Sequence, residues 1–402
     1  MNERAPSPVP DPSVQALWRR GAVDLIEARE LFERLAAGRP LRVKFGMDPS
    51  SADLHLGHAV QLLKLRTLQD AGHTIVLIVG DSTAMVGDPS GRNKLRPQLT
   101  RAEVEANLAT YTDQAGRVLD MARTEVRRNS EWFDSMAFED VLRLAGRATV
   151  AQMIEREDFG KRIAAGTPVG LHELLYPLMQ GWDSVQIRCD VEFGGTDQLF
   201  NLLVGRDLQR AEDQPGQVCI TMPLINGLDG RKMSKSYGNA IGLTDAPNDM
   251  YGKVMSITDE AMPQWFELLT QVPADEVRRV LAGHPRQAKA RLAGEITAFF
   301  HGPDAARAAG EAFDRQFRDK GVPDDVPEVT WKAEWDAAGV PLAILLRELG
   351  LASSSSDARR KVQQGGVRLD GEVASDPMAP VARPAESVLI QSGKRDWRRL
   401  RG

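Results

Sequence analysis

Two histidines three residues apart, His55 and His58, close a stretch over residues 44–58 that reads Lys-Phe-Gly-Met-Asp-Pro-Ser-Ser-Ala-Asp-Leu-His-Leu-Gly-His. That spacing puts both rings on one face of a first helical turn, where each can donate a hydrogen bond to a phosphate oxygen. Gly57 removes a side chain where a flat base or a ribose would come close. A pair of surface histidines and a pair of metal ligands are the other readings; no Cys/His partner cluster follows, which weighs against the metal. Far downstream, Lys232 and Lys235 stand in Arg-Lys-Met-Ser-Lys-Ser, behind the turn signals Asn226-Gly227 and Asp229-Gly230. Two lysines on a glycine-flanked loop can close over a triphosphate and neutralise charge that builds on a departing group. Between these segments, Tyr176, Gln180 and Asp183 fall at i, i+4 and i+7 on a mostly apolar stretch. Such a line either faces water or lines a pocket for a small polar solute.

The elements that must position these residues follow from local patterning. Residues 41–45 alternate apolar and polar as a short strand does. Asp48-Pro49-Ser50-Ser51 is turn chemistry, Asp53 is a good helix N-cap, and Leu56, Val60, Leu63 and Thr67 then repeat at helical spacing until Ala71-Gly72. Thr74-Ile-Val-Leu-Ile-Val79 reads as a buried strand. Strand, turn, helix, strand predicts a parallel sheet with a right-handed crossover. The turn lies at the carboxyl end of a strand, where open α/β sheets bind nucleotides, and exposed N–H groups at the helix start favour anions. The glycine-punctuated segment 80–92 follows the second strand and should face the same crevice, with Asp88 able to bind a cation and Arg92 and Arg96 able to reach phosphate, unless it is an ordinary loop. Residues 191–198 run from a strand through Gly194-Gly195 to Asp197, which is placed to accept from ribose hydroxyls.

Asp48-Pro49 followed by His55-Leu56-Gly57-His58 resembles the HIGH signature of class I aminoacyl-tRNA synthetases, and Lys232-Met233-Ser234-Lys235-Ser236 resembles their KMSKS loop. The Tyr176, Gln180, Asp183 line followed by Gly194-Gly195-Thr196-Asp197-Gln198 is similar to the tyrosyl branch of that family. The resemblance implies an ATP-dependent ligase that joins tyrosine to the 3′-terminal adenosine of tRNA(Tyr) through a tyrosyl-adenylate. It implies catalytic roles for His55, His58, Arg92, Arg96, Lys232 and Lys235, and ATP contacts at Asp48, Ser50, Gly57, His58, Gly195, Asp197, Leu224, Ile225 and Lys235. Tyrosine contacts are implied at Thr83, Asp88, Tyr176, Gln180, Asp183 and Gln198, with Asp88 helping to hold the amino group. Mg²⁺ is expected with ATP, held by phosphates and water rather than by a protein-ligated site. Many tyrosyl members carry a tyrosine where this chain has Lys44; a subgroup with a full KMSKS loop lacks it, and this chain looks like that subgroup. A tryptophanyl enzyme on the same fold and a synthetase-like RNA-binding or splicing protein are the alternatives.

The expected fold is α/β: a Rossmann-like parallel-sheet catalytic domain over residues 13–240, with a helical insertion at about 100–170, behind a tail at 1–12. A helical domain at 241–320 follows, which in the family approaches the anticodon arm, then a linker at 321–339 and a small α+β RNA-binding module at 340–402. The apolar pattern over 13–38 is read as helical, and Asp370-Gly371 as a hairpin turn. In the family the insertion makes a homodimer interface; an apolar stripe there does not by itself show one. The whole chain of 402 residues carries −5, but residues 340–402 hold eleven Lys/Arg against seven Asp/Glu, so the rest is at −9. A basic end on an acidic body suggests a local nucleic-acid contact, with Arg359, Arg360, Lys361 and Arg368 as the candidate tRNA contacts. Two cysteines form no scaffold, which suits a reducing cytoplasm, and no run approaches a membrane span.

Overall fold

The computed structural model of the chain describes residues 11–49, 53–90, 99–317, 325–333, 335, 339–393 and 396–402. They form two compact units, one ending at Gly310 and one beginning at Glu311.

The first unit opens with helix α1 (Pro12–Arg19), strand β1 (Asp24–Ile26) and helix α2 (Ala28–Ala36). The pattern expected as one helix over 13–38 is therefore broken. Gly21 takes a left-handed φ of 70°, which turns the chain, and Asp24-Leu25-Ile26 gain more by pairing with a sheet edge than by continuing a helix. Strand β2 (Arg42–Met47), helix α3 (Leu56–Asp70) and strand β3 (Thr74–Val79) form the expected strand–turn–helix–strand unit, with β2 and β3 parallel from Arg42↔Thr74 to Met47↔Val79. A short helix α4 (Asp81–Val86) opens the glycine-punctuated segment that follows β3.

Helix α5 (Arg101–Ala115) starts at a reciprocal box, in which Thr100 caps the Glu103 N–H and Glu103 caps the Thr100 N–H. Strand β4 (Thr124–Arg128) then pairs in parallel with β3. It lies inside the stretch expected to be helical, because Thr-Glu-Val-Arg-Arg shows no apolar run; charged residues are tolerated on an edge strand. Helices α6 (Ser130–Phe133), α7 (Phe138–Ala145), α8 (Val150–Ile154), α9 (Glu157–Ala164) and α10 (Leu171–Gln186) lead to strand β5 (Val191–Gly195), helix α11 (Leu199–Ala211) and strand β6 (Val218–Met222).

The sheet order is β1-β6-β5-β2-β3-β4, parallel throughout except for the antiparallel edge pair β1–β6. The chain moves from β2 outward to β3 and β4, then returns to β5 and β6 on the other side. The carboxyl ends of β2 and β5 thus flank the switch point at which such sheets bind ligands. Strands β5 and β6 are buried along their whole length, as central parallel strands must be. Two charges interrupt this apolar core: Lys44 on β2 and Glu192 on β5, both with no exposed surface.

Helix α10 lies close on α11. A Cβ at Gly181 would meet the Gly205 backbone N at 3.0 Å, so glycine at 181 lets the helix that carries Tyr176, Gln180 and Asp183 sit tight against its neighbour. After β6 the chain is helical, as expected: α12 (Pro247–Met255), α13 (Met262–Leu269), α14 (Ala274–Leu281), α15 (Pro285–His301) and α16 (Pro303–Phe317). Trp265 and Phe266 on α13 are wholly buried.

The second unit holds strand β7 (Glu328–Thr330), strand β8 (Val340–Pro341), helices α17 (Leu342–Glu348) and α18 (Ser355–Gln363), and strands β9 (Val367–Leu369), β10 (Glu372–Val373), β11 (Pro380–Val381), β12 (Ser387–Ser392) and β13 (Asp396–Arg401). Its main sheet runs β10-β9-β12-β13-β7. Strand β7 falls within the stretch expected as a linker; it pairs in parallel with β13, and Arg401 holds Glu328 through two bonds of 2.6 and 2.7 Å. The β9–β10 hairpin turns at Asp370 and Gly371, with φ of 47° and 88°. Both lie in the left-handed region that Asp-Gly tolerates in a two-residue turn. Leu342, Leu345, Leu346, Ala358, Val362, Ile390 and Leu400 fill the core of this unit.

Candidate active site

The sequence places a proline at 49, just past β2, and the chain then enters α3 with His55, not Asp53, as the N-cap. The His55 Nδ1 accepts from the Gly57 N–H at 3.1 Å, and the His58 Nδ1 accepts from the His55 N–H at 3.2 Å. The two histidines thus build a capping box usually made by Ser/Thr and Glu/Gln, with their ring centroids 4.1 Å apart. Because each Nδ1 is an acceptor, each neutral ring carries its proton on Nε2. Burial, then the neighbouring ring and the lysine charges, hold His55 down to about 3; burial, then Lys235 and Lys232, hold His58 down to about 4. At neutral pH both are uncharged and each offers one N–H donor.

The lysine segment is stitched onto this helix start. Leu56 N–H donates to the Ile241 carbonyl at 2.9 Å and Leu243 N–H to that of Leu54 at 3.1 Å, around the isolated bridge His55↔Gly242. The loop itself is folded around Asn239. Its Oδ1 accepts from the Ser234 N–H at 2.8 Å, while its Nδ2 donates to Asp229 at 2.6 Å and to the carbonyls of Arg231 and Lys232 at 3.3 and 3.2 Å. Met233 is buried, which anchors the loop between its two lysines. Lys232 Nζ lies 2.9 Å from Asp197 Oδ2, and Lys235 pairs with Asp53.

The polar line on α10 forms the opposite wall. The Tyr176 hydroxyl donates to Asp48 Oδ2 at 2.8 Å, and the Thr83 hydroxyl donates to Asp48 Oδ1 at 2.7 Å. Gly80 is required there, since a Cβ would fall 2.0 Å from Asp48 Oδ1. The Gln180 Oε1 accepts from Asn201 Nδ2 at 2.9 Å, and the same amide donates to Gln198 Oε1 at 3.0 Å. Gln198 in turn donates to Asp88 at 2.9 Å. Asp88 also accepts from the Ser90 N–H and hydroxyl at 2.9 and 2.6 Å, and nearly buried Arg156 lies 3.5 Å away, bonded to Ser90. At the far end, Asp183 accepts from Trp132 Nε1 at 3.0 Å and from Asn129 Nδ2 at 3.5 Å. Burial pushes its carboxyl up to about 7, against the pull of Lys44 and of these two donors.

Together these walls enclose a cleft of about 740 Å³, within the range of small-molecule sites. Asp48, His55, Gly57, His58, Thr83, Asp88, Tyr176, Gln180, Asp183, Gly195, Asp197, Gln198, Leu224, Ile225 and Lys232 all line it. Lys235 stands outside that lining, on Asp53. Ser50, Arg92 and Arg96 lie outside the described residues. The basic candidates of the second unit stand apart from one another in use. Arg359 and Arg360 are exposed on α18, with Arg360 held by Asp357 at 2.6 Å. Lys361 donates to the Leu351 carbonyl at 2.8 Å, and Arg368, on β9, donates to the Gly371 carbonyl at 2.8 Å.

Sequence reasoning missed Asn129, Trp132, Arg156, Asn201, Glu192 and Asn239. Trp132 was legible only as an apolar residue; its indole N–H, a donor that needs a partner when buried, was the signal. The others are single polar residues without spacing, and only the fold brings them to the site.

A cleft with neutral histidine donors and Lys232 on one side and a polar, partly buried line on the other suits a small polar solute beside a polyphosphate. Family models match twice: tRNA synthetases class I (W and Y) over residues 36–318, and the S4 domain over residues 340–383. The tyrosine–tRNA ligase of Thermotoga maritima is 50% identical over 400 residues, covering 98% of each chain. That of Salinibacter ruber is 51% identical over 393 residues, covering 95% of each. Among solved structures, a C-terminally truncated mitochondrial tyrosyl-tRNA synthetase of Aspergillus nidulans superposes with a TM-score of 0.63 at 24% identity, over 75% of this chain and 93% of that one. A tyrosyl-tRNA synthetase of Archaeoglobus fulgidus, complexed with L-tyrosine, superposes with a TM-score of 0.59 at 22% identity, over 74% and 99%. The two structures share the fold; the full-length relatives place the chain more finely. The chain belongs to the class I tRNA synthetases (W and Y), alongside the tyrosine–tRNA ligases.

Proposed function

We infer that this chain is an ATP-dependent tyrosine–tRNA ligase. The observation that carries the reading is full-length identity of about half to tyrosine–tRNA ligases, which favours tyrosine over the tryptophan alternative. In the first step a tyrosine carboxylate oxygen attacks the α-phosphorus of ATP; the new O–P bond forms as the bond to pyrophosphate breaks. In the second step a ribose hydroxyl of the 3′-terminal adenosine of tRNA(Tyr) attacks the tyrosyl carbonyl, and AMP leaves. Neither step needs an enzyme nucleophile, so positioning and charge stabilisation carry the chemistry.

Asp183 accepts the tyrosine hydroxyl, and Asp88, Tyr176, Gln180 and Gln198 hold the ammonium end, with Thr83 steadying Asp48 between them. Asp197 takes the ribose hydroxyls, Gly195, Leu224 and Ile225 bed the adenosine, and Gly57 lets it approach. His55 and His58 donate Nε2–H groups to phosphate oxygen, joined by Ser50, Arg92 and Arg96. Lys232 and Lys235 leave Asp197 and Asp53 for the β- and γ-phosphates, which neutralises the departing pyrophosphate. Mg²⁺ arrives with ATP, held largely by phosphates and water, and offsets phosphate charge.

Two chains pair through the insertion. Phe138, Leu142, Val150, Ile154 and Ile163 are exposed apolar side chains there, which a second chain would cover. Arg359, Arg360, Lys361 and Arg368 meet RNA phosphate. No helix among the described residues is long and apolar enough to cross a membrane, and a cytoplasmic site fits the two free cysteines. Charging assays test the reading: the protein should form an alkali-labile tyrosyl ester on a tRNA(Tyr) transcript, and a transcript with an oxidised terminal ribose should accept nothing. Esterification by another amino acid in place of tyrosine would overturn it.

A further inference from the structure

Lys44 and Glu192 are register partners on the adjacent parallel strands β2 and β5, so both side chains leave the sheet on the same face. Neither is exposed, and neither lines the cleft. Lys44 Nζ lies 2.9 Å from Glu192 Oε1 and donates to the Gln180 carbonyl at 2.7 Å and to Ser184 Oγ at 2.8 Å. Its three protons are thereby all used. Glu192 also accepts from Gln180 Nε2 at 3.2 Å, Ser184 Oγ at 3.1 Å and Gln217 Nε2 at 2.5 Å.

Each Glu192 oxygen already accepts from two donors, Oε1 from Lys44 and Gln180 and Oε2 from Ser184 and Gln217, so the carboxylate meets Gln180 as an acceptor. The Gln180 amide must therefore turn its nitrogen to Glu192 and its oxygen the other way. That oxygen sits with Asn201, whose amide also reaches Gln198 and so joins the chain to Asp88. This is the end of the cleft assigned above to the substrate ammonium, which needs acceptors. Were position 192 to offer a donor, Gln180 could present its nitrogen to the cleft instead, and a donor would face a cation.

We propose that the buried Lys44–Glu192 pair is the positioning device of the amino-acid pocket, fixing the Gln180 amide with its oxygen toward the substrate ammonium and so setting tyrosine affinity without touching tyrosine. The proposal rests on the reading of the cleft as a tyrosine site. It also gives Lys44 a role outside the pocket, unlike a tyrosine of the kind many tyrosyl members carry at this position: the side chain bonds to α10 and does not line the cleft.

Glu192→Gln tests it on the full-length protein. The new amide keeps the shape of the carboxylate but can donate to Gln180, which lets Gln180 turn over. ATP–pyrophosphate exchange gives KM for tyrosine, KM for ATP, and kcat per active site once the active fraction is titrated by adenylate burst. The expected result is a rise of about tenfold or more in KM for tyrosine, the loss of a hydrogen bond to a charged group, with KM for ATP and kcat per active site nearly parental. Glu192→Asp, which keeps the charge, should recover part of the loss. If the single variant does not fold, the double variant Lys44→Met/Glu192→Gln, which leaves no lone buried charge, is read in its place and should show the same split. A parental KM for tyrosine, or an equal rise in both KM values, overturns the proposal. A parent protein that does not exchange with tyrosine at all overturns the tyrosine reading instead.

Discussion

Lys232 Nζ lies 2.9 Å from Asp197 Oδ2, so a residue of the loop after β6 is held by one just past the end of β5. In the proposed reading Asp197 takes a ribose and Lys232 a phosphate. A nucleotide that enters the cleft would then exchange one ion pair for two contacts of its own. Because the pair is half-exposed, it contributes about 0–1 kcal/mol and costs the ligand little to break.

The first prediction concerns charge during the phosphate rearrangement. Lys232→Ala and His58→Ala should each slow tyrosyl-adenylate formation by about a hundredfold or more, while equilibrium binding of tyrosine stays near that of the parent. Stopped-flow adenylate formation and tyrosine titration check the two halves. An undiminished rate in either variant would remove that residue from the catalytic set.

Tyrosine and phenylalanine differ by one hydroxyl, and Asp183 is the buried acceptor at the end of the polar line. Asp183→Ala should lower the tyrosine-to-phenylalanine ratio of exchange efficiencies by at least about tenfold, the scale set by an unpaired buried polar group. The buried Trp132 indole N–H loses its partner as well, so a drop in Tm should accompany the change. A parental ratio in the folded variant would place hydroxyl recognition elsewhere.

The same carboxyl predicts a pH dependence. Burial raises Asp183 from the usual carboxylate range to about 7, so the free protein holds it mostly protonated below neutral pH. A tyrosine hydroxyl donates best to the ionised form. Exchange efficiency with tyrosine should fall about tenfold per pH unit below about 7, and efficiency with phenylalanine should stay flatter. His55 and His58, uncharged down to about 3 and 4, add no step in this window. For stability the sign is set by the raised value: the contribution of Asp183 is complete below about 4 and is lost as pH rises through about 7. Asp183→Asn should thus gain in Tm on the parent between pH 4 and pH 8.

How much of this was legible in the sequence differs by element. The strand–turn–helix–strand unit and the α10 line were readable because their apolar spacing is regular over whole turns and whole strands. Strand β4 was not, because an edge strand carries charges that look helical, and β7 was not, because three residues within a proline-bearing stretch show no period. Asp53 has the chemistry of an N-cap, yet His55 takes that place and leaves Asp53 to Lys235. The role of Lys44 was invisible for a different reason: its partner, Glu192, lies 148 positions away, and only the register of two parallel strands makes them neighbours.

The division of the chain into two units predicts separable functions. A chain ending at Phe317, which removes β7 together with the rest of its sheet, should still make tyrosyl-adenylate but charge tRNA poorly. The residual tRNA binding should also lose part of its salt dependence, since fewer phosphates are neutralised. Charging at the parental rate by the shortened chain would take the RNA contact away from Arg359, Arg360, Lys361 and Arg368.

The most direct test of the central claim is ATP–pyrophosphate exchange assayed with each of the twenty amino acids in turn. Tyrosine alone should drive strong exchange, with phenylalanine and tryptophan near background. Strong exchange with tryptophan or phenylalanine, or none with tyrosine, would contradict the assignment of this cleft.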